Sequence, residues 1–274
     1  MQMSEPLADY AIKHNLKRAI LMTGDNAGSI ESSDTFAAAF IKRGGAVVQE
    51  THPPFGNSDY GPYLAQMDST ADVLFTFLPG IAGLRFMQQY SNYSAAKKPQ
   101  ILDYLSVMMT GPNRPQLKDK LEGIVGSTYT NENSQSAAYK TFVQAWKAKY
   151  PDRLMDDSMA SNWAGAQAIA AALQKVNGNV EDKQGFLNAL YAIDLDTAKG
   201  PMKLDQYHDV IQNIYVVQAE KSGDSVAPKL LDTAPPVSQF GSFTKSQIEH
   251  LNSGKMNGKW VGMSQAQLQQ LLGA

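Results

Sequence analysis

The chain has 274 residues, 43% of them hydrophobic, enough for one large α/β core or two smaller ones. A formal charge of −2 argues against a nucleic-acid or anionic-membrane partner, and the absence of cysteine excludes disulfides and thiolate metal sites. No apolar run approaches the roughly 18–20 residues that span a bilayer, and Met1-Gln2-Met3-Ser4-Glu5-Pro6 lacks the basic and apolar regions of a signal peptide, so synthesis in the cytoplasm is expected of the chain as written.

The first half alternates strand and helix in short periods. Lys17-Arg18-Ala19-Ile20-Leu21-Met22 reads as a buried strand, followed by a Gly24-Asp25-Asn26-Ala27-Gly28-Ser29 turn. An amphipathic helix then runs to Gly44-Gly45, and Ala46-Val47-Val48-Gln49-Glu50 is a second strand, completing a βαβ opening. After an aromatic-rich loop at 53–57, a short helix is expected near 60–67. A third strand, Val73-Leu74-Phe75-Thr76-Phe77-Leu78, stops at Pro79-Gly80. The helix over 81–93 carries Leu84, Met87 and Tyr90 on one stripe, and further strands are expected at about 100–104 and 123–129. Near-continuous apolar strands separated by helices indicate a parallel sheet covered on both faces. Right-handed crossovers then bring every strand's C-terminal end to one edge.

From Ser136 the pattern turns helical. Tyr139, Phe142, Val143, Trp146 and Tyr150 form a stripe at i, i+3, i+4, i+7 and i+11 that Pro151 ends. The helix expected over 158–176 is apolar or small nearly all round, a pattern normally buried on most of its surface. A third helix covers about 181–192. Gly200-Pro201-Met202-Lys203-Leu204-Asp205 and residues 211–219 read as β structure. The remainder is Pro/Ser-rich at Pro235-Pro236 and closes with a short helix over 264–272. No internal repeat is visible.

Several of these segments resemble the type I periplasmic binding proteins of ABC transporters, in particular the branched-chain amino-acid-binding group. The resemblance rests on an ordered series rather than one motif. It runs from Leu7-Ala8-Asp9-Tyr10, the turn and helix over 25–40 and Gly44-Gly45-Ala46-Val47-Val48 to Asp59-Tyr60-Gly61-Pro62-Tyr63-Leu64. It continues through Phe77-Leu78-Pro79-Gly80, Arg85-Phe86, Gln89-Tyr90, Phe142-Val143-Gln144-Ala145-Trp146, the helix over 163–173 and Gly200-Pro201-Met202-Lys203-Leu204-Asp205. The series covers about residues 7–220.

The resemblance implies a three-layer α/β sandwich with a mostly parallel, doubly wound sheet, one full lobe and an incomplete second lobe. The family's second lobe would be residues 7–131, helices of the incomplete first lobe 132–199, crossing strands 200–221 and a C-terminal tail 222–274. The first lobe's opening strands, which in the family hold an amino acid's carboxylate, are absent from the sequence. The helix over 158–176, which in the family packs on that lobe's sheet, would then need cover from a second copy of the chain, a companion chain or a rearrangement of the helices. By the same resemblance the partners are a small-molecule ligand, an amino acid or related organic acid, and an ABC permease, and the location is periplasmic. Ligand binding by this chain alone would be weak or absent. A cytoplasmic ligand sensor of the same fold and a self-associating truncated module without ligand remain alternatives.

Ligands of an open parallel sheet lie beyond the C-terminal ends of its strands, which marks four places. Asp25, Asn26 and Gly28 belong to a turn whose backbone N–H groups could meet a polar ligand or simply cap the next helix. Gly28 stands where the family usually has an aromatic residue. Pro79, Gly80 and Ile81 mark a strand-to-helix turn, for geometry or for contact. Asp103 and Tyr104 end a strand where an acid could pair with a ligand ammonium, the alternative being a solvated loop carboxylate. Tyr129, Thr130 and Asn131 read as a hinge that absorbs dihedral change on closure.

Catalytic patterns are missing. His14, His52, His208 and His250 show no metal-ligand spacing. There is no Gly-x-Ser-x-Gly elbow and no cysteine nucleophile. The Gly254-Lys255-Met256-Asn257-Gly258-Lys259 run fails phosphate-loop spacing. Trp146 and Trp163 read as core, and the 12 methionines as gap-fillers. A non-enzyme with neither cofactor nor metal is expected.

Overall fold

A computed structural model describes residues 1–253 and 256–273; Gly254 and Lys255 of the glycine- and lysine-bearing run lie outside them. In chain order the elements are α1 (Ser4–Lys13), β1 (Arg18–Thr23), α2 (Ala27–Lys42), β2 (Ala46–Thr51), α3 (Gly61–Ala65), β3 (Val73–Phe77), α4 (Ile81–Asn92) and β4 (Gln100–Asp103). A 3-10 segment, Tyr104–Met109, leads to α5 (Arg114–Leu117), a second 3-10 turn and β5 (Val125–Thr128). Then follow α6 (Ala137–Lys149), α7 (Asp157–Lys175), α8 (Lys183–Tyr191), β6 (Asp194–Thr197), β7 (Gly200–Leu204), β8 (Val210–Ser222), β9 (Ser225–Val237), α9 (Lys245–Leu251) and α10 (Gln265–Gly273).

One sheet runs in the order β2-β1-β3-β4-β5-β8-β7-β6, with β9 paired to β8. Strands β1 to β5 are parallel neighbours, whereas β8 runs antiparallel to β5, β7 and β9. The apolar runs foreseen in the sequence are therefore the parallel half, buried on both faces. Leu21, Phe75, Leu102 and Val125 face a layer containing Leu7, Phe36 and Phe40. Ile20, Leu74 and Ile101 face the opposite layer, with Leu64, Phe86 and Met87. Phe36 stacks on Phe75 with ring centroids 4.1 Å apart; burying each such ring contributes about 2–3 kcal/mol. The molecule is thus the three-layer α/β sandwich that the sequence implied.

The structure departs from the sequence reading in three places. Residues 4–13, which carried no helical stripe in that reading, form α1; Leu7, Ala8 and Ala11 join the core beside α2. Beyond the closing helix expected there, now α10, the C-terminal part of the chain also supplies β9 and α9, and Phe243, Ile248, Leu251, Trp260 and Leu268 enter the core on the α2 face. Strand β9 pairs along β8 despite Pro228, Pro235 and Pro236, which an edge strand tolerates because only one of its sides donates to a ladder.

Helix α7 does not bury most of its surface within this chain. It buries a single stripe, Ala160, Ala164, Ala168 and Ala172, against α6, α8 and the β6–β7 pair, and Ile169 is 50% exposed. The i, i+4 spacing puts these alanines on one face, while Ile169, Ala166 and Ala170 on other faces are exposed.

Candidate functional site

Because β1, β3, β4 and β5 are parallel, Thr23, Phe77, Asp103 and Thr128 end on one edge of the sheet. Strands β1 and β3 are adjacent, and the Gly24 N–H donates to the Phe77 carbonyl at 3.4 Å. The two glycine-bearing turns are therefore side by side. In the first, Asp25 and Gly28 are exposed. Asn26 caps α2: its Oδ1 accepts from the Ser29 N–H at 3.1 Å and its Nδ2 donates to Ser29 Oγ at 2.9 Å, a cap of about 1 kcal/mol. In the second, Pro79 and Gly80 are exposed, Ile81 is 55% exposed, and Gly80 has φ +65°.

Asp103 and Tyr104 turn away from that edge. Asp103 is 0% exposed, and its Oδ2 accepts the Met108 N–H at 2.8 Å. Burial pushes its pKa up to about 8, against the N–H groups of Met108 and Val107 that favour the charged form. Burial thus favours the neutral carboxyl, which is enclosed and holds the 3-10 segment rather than standing free as a solvated loop acid or a partner for a ligand ammonium. The Tyr104 ring packs edge-on against Phe77, 5.0 Å between centroids, and burial raises its pKa.

The segment after Tyr104 is locally strained. Leu105 and Ser106 both have positive φ, 60° and 48°, a conformation that costs non-glycine residues of order 1 kcal/mol or more each. Ser106 Oγ donates to the Ser127 carbonyl at 3.1 Å, laying the segment across the end of β5. Gly126 permits this approach, since a Cβ there would collide with Ser106 Oγ and come within 2.9 Å of the Asp103 carbonyl.

Between this segment, the end of β5 and the start of α7 lies a cavity of about 280 Å³. Its polar lining includes Ser106, Thr128, Thr130, Asp157, Ser158 and Ser161. Tyr129 and Thr130, two of the three residues read as a hinge, are also in the wall. Asn131 follows, its Oδ1 accepting the Asn133 N–H at 2.9 Å in a tight turn. Two of the cavity's carboxylates are occupied. Glu132 takes a two-pronged bond from Arg114, at 3.0 and 2.6 Å. Asp156 Oδ1 accepts from the Ser158 N–H at 3.0 Å, and its Oδ2 from the Gly111 N–H at 3.2 Å.

Asp157 differs from both. It faces the Thr130 and Thr128 hydroxyls and the Tyr129 N–H. Burial raises the Asp157 pKa against the opposing influence of the Thr130 and Thr128 hydroxyls and of Lys199. Lys199 is 8% exposed, with its Nζ 4.4 Å from the Tyr129 ring centroid, and burial lowers its pKa although Asp157 raises it. The sequence reading missed Asp157, Ser158 and Ser161. The available signal was the Asp156-Asp157 pair opening a helix otherwise almost free of charge.

The sequence model of the periplasmic binding protein family matches residues 1–224. The chain belongs to this family. Among curated relatives, a Leu/Ile/Val-binding protein homolog of Brucella melitensis is 24% identical over 228 residues, 81% of this chain and 58% of the relative. The chain thus spans little more than half the length of that relative. An ABC transporter substrate-binding protein from Sphaerobacter thermophilus superposes with a TM-score of 0.81 at 25% identity, covering 86% of this chain and 66% of that one. A solute-binding protein of an R. palustris ABC transporter, in complex with 4-hydroxybenzoate, gives 0.79 at 25% identity, covering 88% and 66%. A leucine-binding protein from Thermotoga maritima, at 18% identity and a TM-score of 0.70 over 85% of this chain and 65% of that one, shares the fold.

Proposed function

We propose that this chain is a solute-binding component of an ABC importer, taking an amino acid or related small organic acid at the C-terminal edge of its parallel sheet and presenting it, in the periplasm, to a membrane permease. The observation that carries the reading is the 280 Å³ cavity at that edge, with hydroxyls and a buried carboxylate in its wall. Small-molecule sites have this character, concave with a few placed polar groups. The edge turns at 25–28 and 79–81 are further contact candidates, and residues 129–131 the segment that flexes on closure. The relatives that carry Leu/Ile/Val-binding and 4-hydroxybenzoate in their descriptions support the ligand class. A ligand that binds the closed arrangement better than the open one shifts the population towards it. Titration calorimetry and thermal melting with L-leucine, L-phenylalanine and 4-hydroxybenzoate test the proposal. At least one should give a saturable heat and raise the melting temperature; no response to any of them at millimolar concentration refutes it.

One observation favours a second role, self-association. Ile169 on α7 and Leu187 and Tyr191 on α8 are exposed apolar side chains of neighbouring helices. A second copy packing there would remove this surface from water. Sedimentation across a dilution series should show a concentration-dependent dimer, and a monomer at every concentration excludes the role.

A further inference from the structure

We propose that residues 256–263 form a strap that is fastened at mildly acidic pH and loosens as the pH rises, with the Glu50–His52 pair and Asp34 as its clasp. The proposal is independent of solute binding, and the strap lies outside the residues matched by the family's sequence model.

The strap crosses the α2 and β2 side of the sheet and is held by three bonds. The Trp260 Nε1–H donates to Asp34 Oδ1 at 2.6 Å, the Gly258 N–H to Glu50 Oε1 at 3.0 Å and the Gly262 N–H to the Val47 carbonyl at 3.2 Å. Two of these acceptors are interior carboxylates: Asp34 is 1% exposed and the Glu50 side chain 3%. Among the described residues, His52 alone forms an ion pair with either acid; its Nε2–H donates to the same Glu50 oxygen at 3.0 Å. Glu50 Oε2 has no hydrogen-bond partner among the described residues.

The other charges nearby do not relieve these two acids. Glu31 of α2 is exposed and accepts from the Asn252 amide at 2.8 Å, and the Met1 ammonium before α1 acts on Glu31 and Glu5. Lys259 of the strap and Asp25 of the adjoining turn are exposed, as are Lys245, Glu249 and His250 of α9.

Imidazole changes charge between about pH 5 and 8. At the acidic end His52 carries the charge that compensates Glu50. At the alkaline end Glu50 is an enclosed carboxylate without a counter-ion, which is costly. The hydrogen bonds survive the change. His52 Nδ1 lies 3.1 Å from Thr23 Oγ1, itself 2.8 Å from Ser33 Oγ, and the Thr23 hydroxyl turns to donate to a neutral ring or to accept from a charged one. Only the charge facing Glu50 alters. Asp34 acts in the same direction: burial raises it to about 6, so its stabilisation is complete below the reference 3.8 and is lost as the pH climbs through 6. Opening the strap returns both carboxylates to water, at the expense of the apolar contacts of Met256 and Trp260.

Hydrogen–deuterium exchange of the full chain tests the proposal. After correction for the intrinsic pH dependence of amide exchange, it gives an opening constant for residues 256–263, with residues 73–77 of β3 reporting global unfolding. That constant should rise about tenfold or more between about pH 5.5 and 8, ahead of any change in β3. Glu50→Gln, whose amide oxygen can still accept the Gly258 N–H, should cut the rise to within about fourfold, the part left to Asp34. Adding Asp34→Asn should flatten it. An opening constant that does not change with pH in the unmodified chain overturns the proposal, and so does a rise undiminished in the double variant. Should the double variant unfold, His52→Gln, which cannot become cationic, must loosen the strap more at the acidic pH than at the alkaline one. Equal loosening at both overturns the proposal.

Discussion

Trp260 and Asp34, 226 positions apart, meet in the interior: the indole Nε1–H donates to Asp34 Oδ1 at 2.6 Å. Trp260 is fully buried, and the bond ties the C-terminal segment to the middle of α2, where Phe36 and Phe40 anchor the same layer. The sheet's α1–α2 face is therefore completed by residues from the last part of the chain.

Trp260→Phe should keep most of the ring packing but leave a buried carboxyl without its donor, lowering stability by about 1–3 kcal/mol. Trp260→Ala adds a cavity and should lower it by about 3–5 kcal/mol. Urea denaturation distinguishes the two, and a Trp260→Phe variant as stable as the unmodified chain would mean that the hydrogen bond contributes nothing.

Protonation of two buried acids should shape the pH dependence. Burial raises Asp34 to about 6, with Glu50 and Glu31 adding to the rise and Trp260 and His52 opposing it, and raises Asp103 to about 8. Both folded values lie above the reference 3.8, so the folded state holds more protons than the unfolded state between pH 4 and 8. Their stabilisation is fully present below the unfolded pKa and is lost as pH rises, through 6 for Asp34 and through 8 for Asp103. For Asp34 the swing is on the order of 2 kcal/mol. Asp34→Asn should flatten the profile between about pH 4 and 6 and Asp103→Asn between about pH 4 and 8, read from denaturant midpoints. Unchanged profiles refute the assignment.

The parallel half of the fold was legible in the sequence because strands buried on both faces read as continuous apolar runs, as in residues 73–78. The turn before α2 was legible as a helix cap, but not that Asn26 rather than Asp25 makes it. Strand β9 was not, because Pro235-Pro236 signals a break unless the edge position is known. The inward turn of Asp103 was equally hidden, since a strand-end acid reads the same whether it faces solvent or the Met108 N–H. The cavity joins Ser106, residues 128–130 and residues 157–161, segments that only the tertiary fold brings together. No local pattern shows that Asp156 is held by the Gly111 and Ser158 N–H groups while its neighbour Asp157 faces the Thr130 and Thr128 hydroxyls.

Gly126→Ala should disrupt the cavity from behind. The added methyl would strike Ser106 Oγ and approach Met109 Cε to 3.0 Å, while the Asp103 carbonyl, held by the backbone, cannot retreat. A loss of about 1–3 kcal/mol is expected from the forced shift of the 3-10 segment, together with weakened ligand binding. Retained affinity in a variant that melts lower would show that Leu105 and Ser106 do not shape the site.

The Arg114–Glu132 pair offers the sharpest test of what fixes the cavity's rim. The Arg114 guanidinium is nearly enclosed, donating to both Glu132 oxygens and to the Met155 carbonyl at 2.8 Å, so it links α5, the end of β5 and the approach to α7. Removing only the acid, in Glu132→Ala, strands a buried cation and should cost about 3–5 kcal/mol. Replacing both partners with apolar residues, Arg114→Met and Glu132→Leu together, removes the charge with its partner and should recover much of that loss. A double-mutant cycle in denaturant measures the coupling. Coupling below about 0.5 kcal/mol would mean that the rim is held by the Met155 carbonyl and apolar packing, and that the two-pronged bond is incidental.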